Sequence, residues 1–171
     1  MSLRWTVAAV SAGLLLAAPA AAQTPVSDPA TRVLIEMLDH CLGTMSGKAD
    51  YDKDARRKGW GRTANGGWGK KAGKSLMATE LATTNLASGS FRVCAANMSP
   101  ASVDVPGLKA ALAQRAAAYP LTPVAPRPDK RGGIQSGFEN PNGPLIGLTL
   151  TEMPATDDLP ARTFLSVIWR Q

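Results

Sequence analysis

Two cysteines constrain this chain more than any other feature. Cys41 and Cys94 are the only ones present, so a single intramolecular pairing is possible. Closing the span between them would stabilise a fold by roughly 4 kcal/mol in the chain-entropy picture. Such a bond persists only in an oxidising compartment, and the amino terminus points to one. Arg4 supplies positive charge, Val7 to Ala18 form an apolar run, and Ala20-Ala21-Ala22 offers small residues beside a cleavage point. That order is the pattern of a secretory signal peptide, Met1 to about Ala22. The run is about half of the roughly 20 residues a membrane-spanning helix requires. With Cys41 far from the cleavage point, no lipid attachment is expected. The mature chain, residues 23–171, is expected to be one domain released into the periplasm or secreted. Redox catalysis by the cysteines is the lesser reading, because no Cys-x-x-Cys occurs.

Helical spacing is clearest where Leu34, Met37, Leu38, Cys41, Leu42 and Met45 recur along one stripe, behind an Asp28 cap and Pro29 and ahead of Gly47. This spacing predicts a first helix with Cys41 on its buried side. Asp50 caps a second, short helix through Lys58, with acids early and Arg56, Arg57 and Lys58 late. Asp104 or Ser102 caps a third, running to about Tyr119. The segment Gly59 to Lys74, rich in glycine and cations and without periodicity, reads as a loop. The prolines from Pro120 to Pro128 read as an extended, polyproline-like connector.

Strand patterns fall at Ser75 to Thr84, Ser90 to Ala96, Ile134 to Glu139, Leu145 to Thr151 and Arg162 to Arg170. The last is apolar on both faces and is expected at the centre of a sheet. In the second, Phe91 and Val93 alternate with Cys94, so facing the first two toward the first helix would turn Cys94 away from Cys41. The order α-α-β-β-α-β-β-β predicts an α+β domain with helices packed on one antiparallel sheet of about five strands. Its ββαβββ core resembles profilin-like and roadblock-like sheets in connectivity, which carries no function.

The side chains exclude more chemistry than they suggest. His40 is the only histidine, and beside Glu36 and Asp39 it reads as a solvated or paired surface group. No serine-hydrolase, zincin or phosphate-loop motif occurs. One histidine and two paired cysteines leave too few ligands for a zinc-type metal site. No metal or cofactor is expected.

The unusual stretch is Lys53 to Lys74, where Lys53, Arg56, Arg57, Lys58, Arg62, Lys70, Lys71 and Lys74 face the single acid Asp54, with Trp60 and Trp68 interleaved. Trp60, Arg62, Trp68, Lys70, Lys71 and Lys74 are the candidate binding residues, because exposed indoles stack on apolar ring faces and cations meet phosphate or carboxylate. The alternative is a solvated loop with its tryptophans tucked underneath as a satellite of the core. An anionic envelope component or another periplasmic protein is the expected partner. Export argues against nucleic acid.

Cys41 in the first helix, Gly59-Trp60 after the second, and Phe-Arg-Val-Cys94 in a strand followed by a helix together resemble a group of small exported proteins of Gram-negative bacteria without assigned function. That resemblance implies a disulfide and periplasmic residence. It implies no active site. The sequence thus favours an envelope-accessory binding module, with an enzyme of dispersed site or an inhibitor of a cell-wall hydrolase as rival readings.

Overall fold

The computed structural model describes residues 28–73, 75–86, 88–99 and 103–171; the expected leader, Lys74 and the alternative cap Ser102 lie outside them. Helix α1 spans Pro29–Met45. It starts where Asp28 accepts the Thr31 amide at 2.7 Å and the Thr31 hydroxyl at 2.6 Å, and where Pro29 has no amide hydrogen to orphan. It stops at Gly47, whose φ of +73° is in the left-handed region that favours glycine. Helix α2, Tyr51–Arg57, begins where the Asp50 carboxylate accepts the Lys53 amide at 2.8 Å.

Four strands follow: β1 Gly61–Arg62, β2 Trp68–Ala72, β3 Ser75–Leu86 and β4 Gly89–Ser99. Helix α3, Val105–Ala116, then precedes β5 Thr122–Pro128, β6 Ile134–Glu139, β7 Leu145–Met153 and β8 Arg162–Arg170. Asp104 is the cap of α3. The strands make one antiparallel sheet in the order β1-β2-β3-β4-β8-β7-β6-β5. It consists of two four-stranded meanders joined along β4 and β8. Among the described residues the chain is therefore α+β with a single sheet, but that sheet has eight strands where about five were expected.

The additional strands lie in the two stretches whose composition hid them. Within Gly59 to Lys74, β2 pairs with β3 over its whole length and with the two-residue β1 on its other side. Glycine is needed there for close approach, since a Cβ on Gly67 would lie 2.1 Å from the Thr79 carbonyl oxygen. The proline-rich connector is β5, an outer strand paired only to β6. Proline lacks a donor, so it is tolerated on an edge and blunts that edge against further pairing.

Helix α1 lies over β2, β3, β4 and β8, and α3 lies over β6 and β7 and against α1. Met77, Cys94, Ala96, Leu148, Leu150, Leu165 and Val167 form the buried sheet surface beneath them. Leu34, Met37, Leu38, Cys41 and Leu42 of α1 complete the core. Burying each large aliphatic side chain contributes about 2 kcal/mol. β8 pairs with β4 on one side and β7 on the other, the central place its two apolar faces predict. Alternation in β4 is as expected, but Cys94 and Ala96 take the helical side, and Phe91 and Val93 take the side without helices. Cys41 and Cys94 are joined, with Cα atoms 5.5 Å apart. No helix among the described residues is long and apolar enough to cross a membrane.

Register between β6 and β7 hinges on Gly137, opposite Thr149. Its φ is +153°, and an added Cβ would lie 2.1 Å from the Leu148 carbonyl oxygen. Gly137→Ala should lower unfolding free energy by at least about 2 kcal/mol in urea titration. A wild-type midpoint for that variant would contradict the register.

Candidate functional site

A seven-residue helix cannot hold itself together in water, so α2 depends on what it buries. Asp54 and Ala55 point inward, while Lys53, Arg56 and Arg57 point out. Asp54, only 7% exposed, accepts from His40 Nδ1 at 2.7 Å, Arg57 at 2.5 Å and Lys58 at 2.8 Å. Burial alone would raise the Asp54 carboxyl. The hydrogen bonds from Lys58, His40 and Arg57 outweigh it and hold the group well below the usual carboxylate range.

His40 is 1% exposed, which overturns its reading as a surface group. The reason is its partner. Glu36 goes to Lys70 and Asp39 to Arg115 of α3, whereas the acid that binds His40 comes from α2. The imidazole ring lies 4.9 Å from the Tyr51 ring and meets Trp60 edge-on at 4.8 Å. Burial lowers the His40 pKa from its ordinary value; the Asp54 hydrogen bond opposes this and the Lys58 charge adds to it. The imidazole is therefore neutral at neutral pH, with Nδ1–H donating to the ionised Asp54 and Nε2 unprotonated. His40 Nε2 and Trp60 Nε1 are both buried with no hydrogen-bond partner among the described residues.

The six candidate binding residues do not form one constellation. Trp60 and Trp68 are each 4% exposed, as the satellite-core alternative has it, so neither presents an indole face to a ligand. They serve instead as platforms for cations. Arg62 lies 4.3 Å and Arg56 5.7 Å from the Trp68 ring centroid, and Lys58 lies 5.3 Å from that of Trp60. Trp68 Nε1 donates to Asp52 at 2.9 Å, and Arg62 reaches the other oxygen of that carboxylate at 2.9 Å. Lys70 turns toward α1, where it meets Glu36 at 2.9 Å. Lys71, next along β2, belongs to the opposite side of the sheet. Lys74 lies outside the described residues.

The surface that results is the outer side of α2 with the start of β1: Lys53, Arg56, Arg57, Lys58 and Arg62. Two of its cations share Trp68 and two share Asp54. The Arg57 side chain remains 79% exposed despite its ion pair. Sequence reasoning assigned binding to Arg62 but not to Arg56, although both lean on one indole. Only the pairing of β2 with β3 puts Trp68 beneath α2. Among the described residues no three side chains of metal-ligating type stand together. Comparison with protein-family models, with characterised proteins and with solved structures finds no match to this chain.

Because His40 is the only histidine, stability between pH 7 and 5 reports on it almost alone. Its pKa is lower folded than unfolded, so the unfolded chain takes the proton first. Its contribution is complete above about pH 6.5 and is lost as the pH falls below that toward the folded value. Urea titrations should show unfolding free energy dropping from pH 7 to pH 5 by at most about 1.4 kcal/mol per pH unit. His40→Gln should flatten that drop. An equal drop in the variant would contradict this assignment.

Proposed function

We propose that this chain is an exported, non-enzymatic binding module of the cell envelope that engages an anionic component through the cations of α2 and β1. The observation that carries this reading is the array of cations on α2 and beside it, four of the five held in place. Lys53, Arg56, Arg57, Lys58 and Arg62 stand together, with Arg56 and Arg62 seated on one buried indole and Arg57 and Lys58 on one buried carboxylate. Cations already held in place lose less conformational entropy on meeting phosphate or carboxylate than free lysines on a loop do. A positive surface also raises the rate of encounter with a polyanion.

Export is supported by the charged, apolar and small-residue order of Met1 to Ala22 and by the disulfide, a bond kept in oxidising compartments. The rival reading, an enzyme, would make most use of the His40–Asp54 pair. That pair is sealed beneath α2 with Nε2 away from solvent, which favours a structural role.

The test measures binding to phosphatidylglycerol vesicles and to soluble polyphosphate, with phosphatidylcholine vesicles as the neutral arm. Lys53 and Arg56 make no close ion pair among the described residues, although the Arg56 charge acts on Asp52, so a Lys53→Gln/Arg56→Gln variant removes charge without breaking an ion pair. Affinity for the anionic probe should fall about tenfold with a shallower salt dependence, and Lys71→Gln should have little effect. No binding to either probe, or equal losses in the two variants, would overturn the proposal.

A further inference from the structure

A second surface lies between the start of α3 and the ends of β6, β7 and β8. There Val103, Val105, Ile134, Met153, Pro154 and Arg162 line a groove of about 470 Å³, within the range of about 300–1,000 Å³ of small-ligand sites. Its walls are mainly aliphatic. Ile134 is 47% exposed, one of three large hydrophobic side chains so exposed among the described residues. An isoleucine left in water beside two valines and a methionine is an apolar wall without a cover.

The charges of the groove divide into one that is satisfied and one that is free. Glu152 is held by Lys109 of α3 at 2.7 Å. Arg162, half-buried at the start of β8, makes no ion pair or side-chain hydrogen bond among the described residues. Nearby Arg131 is engaged elsewhere, bonded to Asp129 and lying over the Phe164 ring. An aliphatic wall ending at a single uncompensated guanidinium is complementary to one kind of small molecule. Its apolar chain would lie on Val103, Val105, Ile134 and Met153, and its one carboxylate would meet the planar fork of Arg162, where two parallel N–H donors match two oxygens.

We propose that this groove binds a single-chain amphiphile bearing one carboxylate, such as a medium-chain fatty acid, with Arg162 holding the headgroup. The site is separate from the cationic surface of α2 and stands or falls without it.

Calorimetric titration with decanoate, and with decan-1-ol as its uncharged counterpart, tests the assignment on the intact oxidised protein. Decanoate should bind saturably, one molecule per chain. Arg162→Gln should weaken decanoate at least tenfold and leave decan-1-ol unchanged, whereas Ile134→Asp should weaken both at least tenfold. Ile134 is exposed and Arg162 half-buried, and a wild-type urea midpoint for each variant confirms that the fold persists. Absence of saturable decanoate binding overturns the proposal. So does equal binding by wild type and Arg162→Gln. If decanoate fails to bind while Ile134→Asp converts an oligomer to a monomer, the groove is covered by a second copy and the amphiphile assignment is wrong.

Discussion

The bond between Cys41 and Cys94 fixes the point about which this fold is organised. Cys41 lies on the buried stripe of α1, and Cys94 lies in β4, the strand along which the first meander meets the second through β8. A covalent tie at that seam places α1 across the middle of an eight-stranded sheet. The flanking stripe then has a target on either side: Met77 of β3 toward one edge, Val167 and Leu148 toward the other. The bond also closes a span of 53 residues, within which lie all of α2 and the strands β1 to β3. The chain entropy removed from the unfolded state is worth roughly 4 kcal/mol in the loop-closure picture. Among the described elements, that segment holds the shortest helix, α2, and the two shortest strands, β1 and β2.

Within that closed span, a second interaction determines what reaches the surface. α2 has too few residues to persist unaided, and it docks by burying Ala55 and by placing Asp54 against His40. A carboxylate this buried is tolerable because three donors converge on it. Two of those donors are the terminal nitrogens of the cations Arg57 and Lys58, which the carboxylate holds at the edge of the helix. The polar arrangement that seats the helix therefore also orients its charged side. Trp68 has the same double effect, filling the core from below and carrying two guanidiniums above.

Much of this was legible in the residues, and the failures have physical causes. The capping pairs Asp28–Pro29 and Asp50, the stripe through Cys41, the hairpin from Ile134 to Thr151 and the central strand ending at Arg170 all appear where spacing and turn chemistry put them. Local pattern is decisive there because each element satisfies its own backbone or presents one apolar face. β2 and β5 were missed for opposite reasons. Trp68-Gly69-Lys70-Lys71-Ala72 lacks alternation because Gly69 carries no side chain and Lys70 is drawn inward by Glu36 on α1. β5 is strand-like only because its prolines sit on an outer edge. His40 was misread because its environment is supplied by Asp54, fourteen residues away on another helix, and no periodicity in α1 announces that partner. The candidate binding residues were scattered for the same reason: strand alternation sends Lys70 and Lys71 to opposite sides of the sheet, which a segment read as a loop does not reveal.

The seating of α1, and through it of α2, rests on α1 being pinned to β4, and the covalent state of the two cysteines tests that most directly. Thiol titration of the protein, isolated without reductant and denatured in the presence of a trapping reagent, counts the free thiols. None is expected, with two appearing after reduction. Two free thiols per chain before reduction would contradict it. α1 would then be held by packing alone, and the oxidising compartment inferred from the bond would lose its structural support.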